Sequence, residues 1–567
     1  MRQLEHLGES LAALGEHCPD VASWLAGDGR DVPLDALFVD RAGRLDWRCP
    51  DGEGMYARVP RRLAYADWTP APDVTGGVTL VLGCGLGDGL LHILEHSGED
   101  HRVFVLEPRR DLLLACLGAA PLGPYLRRER LVFLPPDLDW IADHARSPLG
   151  GAFAFGKLLV RLDEAAAHAG AEYAAWLDRL RNFLDDTAVN ILTMRRFQDV
   201  RVANELRNLG RAMAEGSALP LADSAAGTSA VLVGAGPSLE RLLPGLAQAL
   251  GPAIWACALQ TLPAMQRLGV APTFCVATDS SRSMLAVFDM LDAETAASVP
   301  LLYSTAVDPE LLERYPGPTL PLWTWGGQGT WIMEAQDLVL PWGGNVSVIL
   351  IHLARLFGVD RILLLGHDLA WTGTQSHAEG HHAARGPSGE GSVRLRAAAG
   401  GTITTTPQLR AAAREIARLG RQPGAPIHNF YGGGILLDGV ENVDPDHVPS
   451  PLLAGGVAGV EGFARALREA FAVRKRPLRI EPQTAWLEDC FERAEREAAA
   501  DTAAFQPAMR RLALELRSNP ICLPYLGNEA LELDNGEVVG AAALAAVRER
   551  AREKVTRIET AFGAATA

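Results

Sequence analysis

Four histidines lie close together in the chain, at positions 367, 377, 381 and 382. A histidine gains or loses a proton near neutral pH, so it is suited to general acid or base catalysis. We take His377 as the first candidate for a general base, because it lies in a polar segment bounded by glycines, with His381 and His367 as its rivals. Asp368 is a further candidate catalytic residue, or the cap of a turn. The alternative interpretation places all four histidines in a solvated loop.

His377 and His381 also have a spacing that occurs in metal sites. Two histidines four residues apart lie on one face of a helix and can share a metal ion. Gly373 precedes this pair and Gly380 lies between its two histidines, so both glycines disfavour a helix there. The sequence therefore predicts no metal site at these histidines.

A glycine-rich turn at residues 234–239 follows an apolar run at residues 231–233. Glycine lets the backbone approach a ligand closely, which is the role expected of Gly234 and Gly236. Pro237 has the backbone angle of a first helical turn, and Ser238 would add a hydroxyl there. Free backbone N–H groups at a helix N-terminus attract anions, so the turn predicts a phosphate-binding site without the lysine of a Walker loop. A tight turn that binds nothing is the alternative.

Asn345, Ser347 and Asp279 are the other polar candidates for ligand binding. Asn345 and Ser347 begin a segment with apolar residues at helical spacing, at positions 346, 349, 350, 353, 356 and 357. At the start of such a helix they could hydrogen-bond a nucleotide or a sugar. Asp279 follows a predicted strand and could hold ribose hydroxyls, although an exposed carboxylate that caps the next helix explains it equally well.

A parallel sheet is the element that must position these candidates. Short apolar runs of strand length alternate with helical segments, at residues 230–233, 254–258, 274–277, 301–304 and 361–365. This alternation predicts a mostly parallel sheet covered on both faces. The carboxyl ends of parallel strands meet at one edge, where open α/β folds bind ligands. We therefore expect the glycine-rich turn, the helix start and the histidines to meet at that edge.

A second glycine-rich turn, at residues 83–89, follows an apolar run at 78–82 and precedes a strand-like run at 102–106 that ends at Glu107. This order is the signature of a nucleotide-binding βαβ fold, and the turn could hold S-adenosylmethionine or a dinucleotide. Methyltransferases usually have an acidic residue two positions before the first glycine, where this chain has Val81. We therefore expect a Rossmann-like domain in which the turn is structural.

The patterns place the chain in the α/β class and divide it into three predicted domains. Residues 1–225 form a Rossmann-like N-terminal domain with closing helices, residues 226–445 a central α/β domain with a mostly parallel sheet, and residues 446–567 a helical C-terminal domain. A loop of small residues at 223–229 and a proline-rich stretch at 444–451 mark the two boundaries.

The composition argues against several classes of protein. The chain has 567 residues and a net charge of −16, so it lacks the basic surface of a protein that coats nucleic acid or an anionic membrane. Its eight cysteines include no C-x-x-C pair, which is typical of a reducing compartment. No uncharged apolar run reaches the about 18 residues of a membrane span, and Glu5 and Glu9 interrupt any secretion signal. We expect a soluble cytoplasmic protein.

The order and spacing of these motifs resemble the motility accessory factor (Maf) proteins of bacterial flagellin glycosylation. The matching segments are residues 234–239, 344–347, 366–370, 373–380, 405–409 and 427–440. Maf proteins share a central domain with archaeal 6-hydroxymethylpterin diphosphokinases of the MptE-like type, and this domain is similar to the bacterial sialyltransferases. The three predicted domains are also similar to the whole Maf architecture.

The resemblance implies a glycosyltransferase that moves a nine-carbon acidic sugar, of the pseudaminic, legionaminic or sialic type, from its CMP-activated form to Ser or Thr of flagellin. The donor substrate is then a CMP-activated nonulosonic acid, the partner is flagellin, and no cofactor is required. Such an enzyme would support flagellum assembly and motility. One departure is the segment Cys-Ala-Leu-Gln at residues 257–260, where relatives often have a polar residue near the second strand.

Two other functions fit parts of these patterns. A 6-hydroxymethylpterin diphosphokinase would transfer pyrophosphate from ATP and need Mg²⁺, for which Asp279 and Asp368 are the obvious carboxylates. The large N- and C-terminal domains would be surplus to that reaction. A non-catalytic scaffold that binds flagellin is the third interpretation.

Overall fold

The computed structural model describes residues 4–27, 35–68, 77–144, 146–154, 156–324, 336–340, 345–371, 375–379, 381, 392–396, 402–476, 480–500, 504–519, 521–522 and 524–565. The chain forms two compact units. The first unit comprises Met1–Arg195, Ala485–Arg517 and Gly527–Ala551, and the second comprises Arg196–Thr484, Ser518–Leu526 and Arg552–Ala567. This division differs from the three domains suggested by the sequence, because residues 446–567 belong partly to each unit. The boundaries near residues 225 and 445 stay a prediction.

The first unit contains a four-stranded parallel sheet and a small antiparallel hairpin. The hairpin strands are β1 (Leu37–Val39) and β2 (Leu45–Trp47). The sheet strands are β3 (Val78–Leu82), β4 (Arg102–Leu106), β5 (Leu131–Leu134) and β6 (Leu158–Leu162), in the spatial order β5-β4-β3-β6. Every residue of β3 is buried, as expected for a parallel strand covered on both faces. The strands predicted at residues 78–82 and 102–106 are confirmed.

Helices surround this sheet. They are α1 (Leu7–His17), α2 (Pro19–Ala26), α3 (Arg61–Ala64), α4 (Asp88–His96), α5 (Arg110–Ala119), α6 (Gly123–Arg127), α7 (Leu138–His144), α8 (Arg146–Ala154) and α9 (Glu164–His168). A helix of 43 residues, α10 (Glu172–Ala214), contributes residues to both units. The closing helices expected in this part of the chain are confirmed in α9 and α10.

The second unit contains a nine-stranded parallel sheet. Its strands begin with β7 (Ser229–Val233), β8 (Ile254–Ala258), β9 (Phe274–Ala277), β10 (Leu301–Ser304), β11 (Thr319–Thr324), β12 (Val339–Leu340) and β13 (Arg361–Leu365). An antiparallel hairpin of β14 (Val393–Arg396) and β15 (Thr402–Thr405) precedes the last two sheet strands, β16 (Ile427–Phe430) and β17 (Glu441–Val443). The spatial order is β12-β11-β10-β9-β8-β7-β13-β16-β17. The five strands predicted for this region are confirmed.

Both faces of this sheet are covered. The helices of the unit are α11 (Leu239–Ala249), α12 (Leu262–Arg267), α13 (Ala293–Ala296), α14 (Pro309–Arg314), α15 (Val346–Leu356), α16 (Pro407–Arg421), α17 (Ser450–Leu453) and α18 (Val457–Ala472). Alternate side chains of β7 enter different cores: Leu232 packs in the core that contains α15, and Val233 in the core that contains α11. The predicted mixed α/β fold with a parallel sheet is therefore confirmed.

The remaining helices are α19 (Thr484–Ala500), α20 (Phe505–Ser518), α21 (Gly527–Asp534) and α22 (Gly540–Ala565). Within residues 446–567, the described residues form helices and connections without a strand, so the predicted helical character of this region is confirmed for them. None of the described helices combines the length and the apolar character needed to cross a membrane.

The order of the strands produces one reversal that matters for ligand binding. From β7 the chain builds the sheet outward through β8 to β12, and it then returns to place β13 on the other side of β7. In open α/β sheets such a reversal leaves a crevice beyond the carboxyl ends of the two central strands, and ligands bind there. The crevice of this sheet lies between the ends of β7 and β13.

The glycine-rich turn of the first unit is covered by side chains of the same unit. A Cβ atom on Gly85 would lie 2.8 Å from Asp163 Oδ2 and 3.1 Å from the Tyr56 hydroxyl, and one on Gly89 would lie 2.7 Å from the Tyr65 ring. The Leu86 backbone N–H donates to the Tyr56 hydroxyl at 3.4 Å. Tyrosine and aspartate side chains therefore fill the space beside the glycines, which favours the structural role expected of this turn.

Glu107, at the end of β4, is also engaged within the chain. In dinucleotide-binding folds an acidic residue at this place holds ribose hydroxyls. The Glu107 carboxylate instead accepts hydrogen bonds from the backbone N–H groups of Cys84 (2.9 Å) and Arg109 (3.0 Å) and from the Tyr173 hydroxyl (2.7 Å). Glu107 is only 1% exposed, and burial raises its pKa to about 7. The residue therefore ties the turn to β4 and α10.

This raised pKa predicts a pH dependence of stability. The folded chain binds the Glu107 proton more tightly than the unfolded chain, so the stabilising contribution is complete below pH 4.5 and is lost as the pH rises toward about 7. We expect the unfolding free energy of the wild type to fall relative to that of Glu107→Gln by up to about 3 kcal/mol over this range. Denaturant unfolding at a series of pH values measures the difference. The exposed Glu16→Gln serves as control, and equal slopes for wild type and Glu107→Gln would contradict the prediction.

Candidate functional site

A cavity of about 110 Å³ lies in the second unit, at the carboxyl ends of β7, β8 and β13. It therefore occupies the crevice created by the reversal of strand order. Four segments line it: the glycine-rich turn after β7, the segment after β8, the residues that follow β13, and the first turn of α15. Ser376, His377, His381 and Leu409 also line it. The meeting of turn, helix start and histidines at this edge agrees with the prediction from the sequence.

Two loops approach each other closely at the base of the cavity. Gly234 N–H donates to the Leu365 carbonyl at 2.7 Å, and Gly236 N–H donates to the Gly366 carbonyl at 2.8 Å. A Cβ atom on either Gly234 or Gly236 would lie 2.6 Å from the Gly366 carbonyl oxygen, which is closer than carbon and oxygen can pack. Gly366 itself has a φ of +70°, a conformation that favours glycine. These glycines are needed for the contact between the two loops.

Asp368 occupies the N-terminal end of α11. One of its carboxylate oxygens accepts the Ser238 backbone N–H at 2.7 Å, and the other accepts the Ser238 hydroxyl. Ser238 is the N-cap residue of α11, which begins at Leu239 rather than at Pro237. The positive end of the helix thus holds a carboxylate of the chain itself. Asp368 is 2% exposed, and burial raises its pKa.

This pairing changes the role of the predicted phosphate-binding turn. The backbone N–H groups of Gly236, Ser238 and Leu239 all donate within the chain, the last to the Gly236 carbonyl at 3.0 Å. The sequence-based prediction assumed that these donors face a ligand. In the structure they join the two loops, because Asp368 supplies the anion that the helix N-terminus attracts.

The N-terminal end of α15 faces the cavity. Asn345 is the N-cap residue, and its side-chain oxygen accepts the Ser347 backbone N–H at 2.8 Å. Asn345, Val346 and Ser347 all line the cavity. A helix of 11 residues directs a partial positive charge to this end, so the cavity offers a favourable environment for an anion.

His367 lies in the wall of the cavity as a neutral side chain. Burial lowers its pKa to about 4, and its Nδ1 lies 3.2 Å from the Leu365 carbonyl oxygen. Because a carbonyl can only accept, the proton resides on Nδ1 and Nε2 carries a lone pair. Nε2 is buried without a hydrogen-bond partner among the described residues. His367 can therefore accept a hydrogen bond but has little strength as a base near neutral pH.

His377 and His381 form a stacked pair. Their ring centroids are 4.0 Å apart and the ring planes differ by 5°. His377 Nδ1 lies 3.0 Å from the Ser376 hydroxyl, and the segment is attached to the glycine-rich turn by the Ala378 N–H, which donates to the Ala235 carbonyl at 2.9 Å. The stacking holds the two rings nearly parallel to each other.

The structure brings together some of the predicted site residues and separates others. Those that line the cavity are Gly234, Gly236, Asn345, Ser347, His377 and His381. Pro237, Ser238 and Asp368 lie beside it in the contact between the loops and are not part of its lining. Asp279 is exposed and does not line the cavity: it accepts the Ser281 N–H at 2.8 Å, as expected for a residue that caps a turn.

Several residues named from the sequence lie outside the described residues, namely Gly344, Gly373, Gly380 and His382. Conversely, sequence reasoning named Gln260 only within a segment that departs from relatives and missed Thr261, and both residues line the cavity. Their position directly after β8, the strand beside β7 at the reversal of strand order, could have identified them from the sequence. Among the described residues no group of three or more His, Cys, Asp or Glu side chains could hold a metal ion.

Comparison with known proteins identifies the architecture. Residues 203–374 match the family model described as 6-hydroxymethylpterin diphosphokinase MptE-like. The chain is similar in structure to a MAf glycosyltransferase from Magnetospirillum magneticum AMB-1, with a TM-score of 0.64 and 17% sequence identity over 99% of this chain and 96% of that one. No curated protein matches the chain. Both findings agree with the resemblance to Maf proteins stated from the sequence motifs.

The contact between the loops predicts a loss of stability when its hydroxyl is removed. Ser238→Ala leaves one oxygen of the buried Asp368 carboxylate without its donor. We expect the free energy of unfolding to fall by about 1–3 kcal/mol, measured by chemical denaturation. Ser298→Ala is the matched control, because that exposed hydroxyl donates only to the Thr295 carbonyl at 2.9 Å. Equal effects of the two substitutions would contradict a structural role of the Ser238–Asp368 contact.

Proposed function

We propose that this chain, which has an MptE-like domain within the fold of a Maf glycosyltransferase, transfers a nonulosonic acid from a CMP-sugar to Ser or Thr of flagellin. The observation that carries the proposal is the cavity at the strand reversal, which combines a helix N-terminus with three histidines. The fold likeness supports a glycosyltransferase. The transfer would serve flagellum assembly and motility.

Breaking the donor's glycosidic bond places charge on two groups. The bond between the anomeric carbon and the phosphate oxygen breaks, its electrons go to the oxygen, and CMP leaves as an anion while the anomeric carbon becomes electron-poor. We assign stabilisation of the leaving phosphate to the N-terminal end of α15, with Asn345 and Ser347 as hydrogen-bonding groups. The described cavity is smaller than the about 300 Å³ of common ligand sites, so it accommodates one group of the donor, which we take to be this phosphate.

The acceptor hydroxyl must lose its proton as it attacks the anomeric carbon. We assign the general base to His377, which is partly exposed and has its Nδ1 beside the Ser376 hydroxyl. The oxygen forms the new bond to carbon, and the proton goes to the imidazole. His381 stacks on His377 and fixes the plane of its ring. The neutral His367, whose pKa is about 4, accepts a hydrogen bond from a hydroxyl or amino group of the donor.

The net charge of −16 constrains how such a donor binds. A CMP-sugar of this type carries a phosphate and a carboxylate, so the overall field of the protein repels it. Binding must then come from directed groups at short range. The end of α15 supplies a partial positive charge at the cavity, and the described residues of its lining include no lysine or arginine. The donor needs no metal ion in this proposal.

Pyrophosphate transfer to 6-hydroxymethylpterin is the second candidate function, because residues 203–374 match the MptE-like family model. That reaction needs carboxylates that hold Mg²⁺ at the phosphates of ATP. The Asp368 carboxylate is bound to Ser238, and Asp279 does not line the cavity. We therefore place this function second. A flagellin-binding scaffold without turnover is the third.

Incubation of the purified chain with flagellin and each CMP-nonulosonic acid in turn tests the proposal. We expect the intact mass of flagellin to rise by the mass of a sugar residue with one of the donors. A parallel reaction with ATP, Mg²⁺ and 6-hydroxymethylpterin tests the second candidate by formation of the pterin diphosphate. Unchanged flagellin mass with pseudaminic, legionaminic and sialic donors would contradict the transferase, and flagellin binding without turnover would favour the scaffold.

Substitution of His377 tests the role of the general base separately from donor binding by the other residues of the site. We expect His377→Gln to lower kcat by about 10²-fold or more, since a positioned general base contributes about that factor. Donor binding should change little, because the end of α15 is unaltered. His447→Ala is the matched control: that histidine is 83% exposed and pairs with Asp444. Steady-state kinetics provide the measurement, and wild-type kcat for His377→Gln would exclude His377 as the base.

A further inference from the structure

His367 is held in the wall of the cavity by contacts on one side of its ring. The residue lines the cavity and is 4% exposed. Its Nδ1 lies 3.2 Å from the Leu365 carbonyl oxygen, and a Cβ atom on Gly234 would lie 3.2 Å from the same nitrogen. The Nδ1 side of the ring is therefore packed against the end of β13 and the glycine-rich turn.

The other ring nitrogen, Nε2, has no hydrogen bond. It is buried, and no described residue donates to it. The wall contains hydrogen-bond donors of its own, in the side chains of Gln260, Thr261, Asn345 and Ser347, and none of these four donates to this nitrogen. A buried acceptor without a donor destabilises the folded chain. A ligand in the cavity can supply the donor that the chain itself does not.

The protonation of His367 restricts what this donor can be. Burial lowers the pKa of His367 to about 4, so the ring is neutral near pH 7 and its Nε2 can only accept. The oxygens of an ionised phosphate or carboxylate are acceptors as well, so they cannot form a hydrogen bond to Nε2. The ligand must therefore present an O–H or an N–H group to this side chain.

A different requirement applies at the N-terminal end of α15, which lines the same cavity. This end attracts negative charge, because the helix directs a partial positive charge toward it. The cavity of about 110 Å³ is too small for a whole CMP-sugar, so the anion and the O–H or N–H group must be neighbours in the ligand. A hydroxyl or an amide N–H beside a phosphate adds little volume to it.

We propose that His367 determines which donors the site accepts. It selects a CMP-sugar in which an O–H or N–H group lies beside the phosphate, and it rejects a donor in which that group is absent or blocked. A site built to hydrogen-bond such a group discriminates strongly, because the analogue without it leaves a buried polar atom unpaired. This inference rests on the sugar transfer proposed above. The selected group belongs either to the sugar or to the nucleotide.

Removal of the acceptor from the full chain tests this inference. His367→Leu and His367→Met supply apolar side chains, and the Leu365 carbonyl still accepts the Gly234 N–H at 2.7 Å. His367→Gln keeps an acceptor oxygen. Calorimetry measures binding of CMP and of the pseudaminic, legionaminic and sialic CMP-sugars. We expect the apolar variants to bind the accepted donor at least about tenfold more weakly than the wild type, and His367→Gln to stay within about threefold.

The comparison of CMP with the CMP-sugar locates the selected group. If the apolar variants bind both ligands more weakly, the group lies on the nucleotide, whereas weaker binding of the CMP-sugar alone places it on the sugar. His352→Leu is the matched control. Burial also lowers the pKa of His352, but this residue of α15 does not line the cavity, so the affinity for either ligand should not change.

Two outcomes overturn the inference and leave the proposed sugar transfer intact. Wild-type affinity of His367→Leu or His367→Met for every ligand would exclude His367 as the selecting residue. Equal weakening by the apolar variants and by His367→Gln would assign the ring to packing of the wall. A third outcome is distinct from these: a wild type that binds neither CMP nor any of the three CMP-sugars would contradict the proposed function and the inference together.

Discussion

The hydrogen bonds between Ser238 and Asp368 are the constraint on which the candidate site depends. They join the turn after β7 to the segment after β13, and with the Gly236–Gly366 contact they hold two loops at van der Waals distance. A buried carboxylate at a helix N-terminus satisfies both the charge and the free N–H groups of the helix. These contacts fix the two loops that form part of the cavity wall.

Two helix N-termini lie at the same edge of the sheet, and this arrangement gives them different roles. The end of α11 is used by Asp368 and serves the structure, while the end of α15, which is capped by Asn345, lines the cavity. The two ends look alike in sequence, since each has a serine at or next to the start of the helix. What separates them is the presence of an internal anion at one and a cavity at the other.

The strands were predictable from the sequence because parallel strands buried on both faces are short apolar runs, as in Val231–Val233 and Arg361–Leu365. The sequence predicted that the histidines lie beside the glycine-rich turn, because the carboxyl ends of parallel strands meet at one edge of the sheet. The sequence did not predict that Ser238 bonds to Asp368. The two residues are 130 positions apart, and a motif does not show which donors are already hydrogen-bonded within the chain. The same reason applies to Glu107, whose three hydrogen-bond donors come from three separate segments.

The sequence also did not predict that the helical region 446–567 is divided between two units. Helical periodicity reports which face of a helix is buried but not the element that covers it. Residues such as Tyr56 and Tyr65, which fill the space beside Gly85 and Gly89, carry no pattern that would reveal this role. Long-range packing decides which donors of a glycine-rich turn stay free, and in both units residues distant in sequence contact the turn.

The position of β7 between β8 and β13 has a consequence for the order in which the protein is made. During synthesis β7 and β8 emerge together, but β13 begins only at Arg361, so one edge of β7 stays unpaired while more than half of this sheet is already translated. Likewise, Ser238 cannot form its hydrogen bonds to Asp368 until residue 368 has been synthesised. The nascent chain therefore carries an open strand edge at the centre of its largest sheet, and the candidate site comes into existence only when that edge is closed.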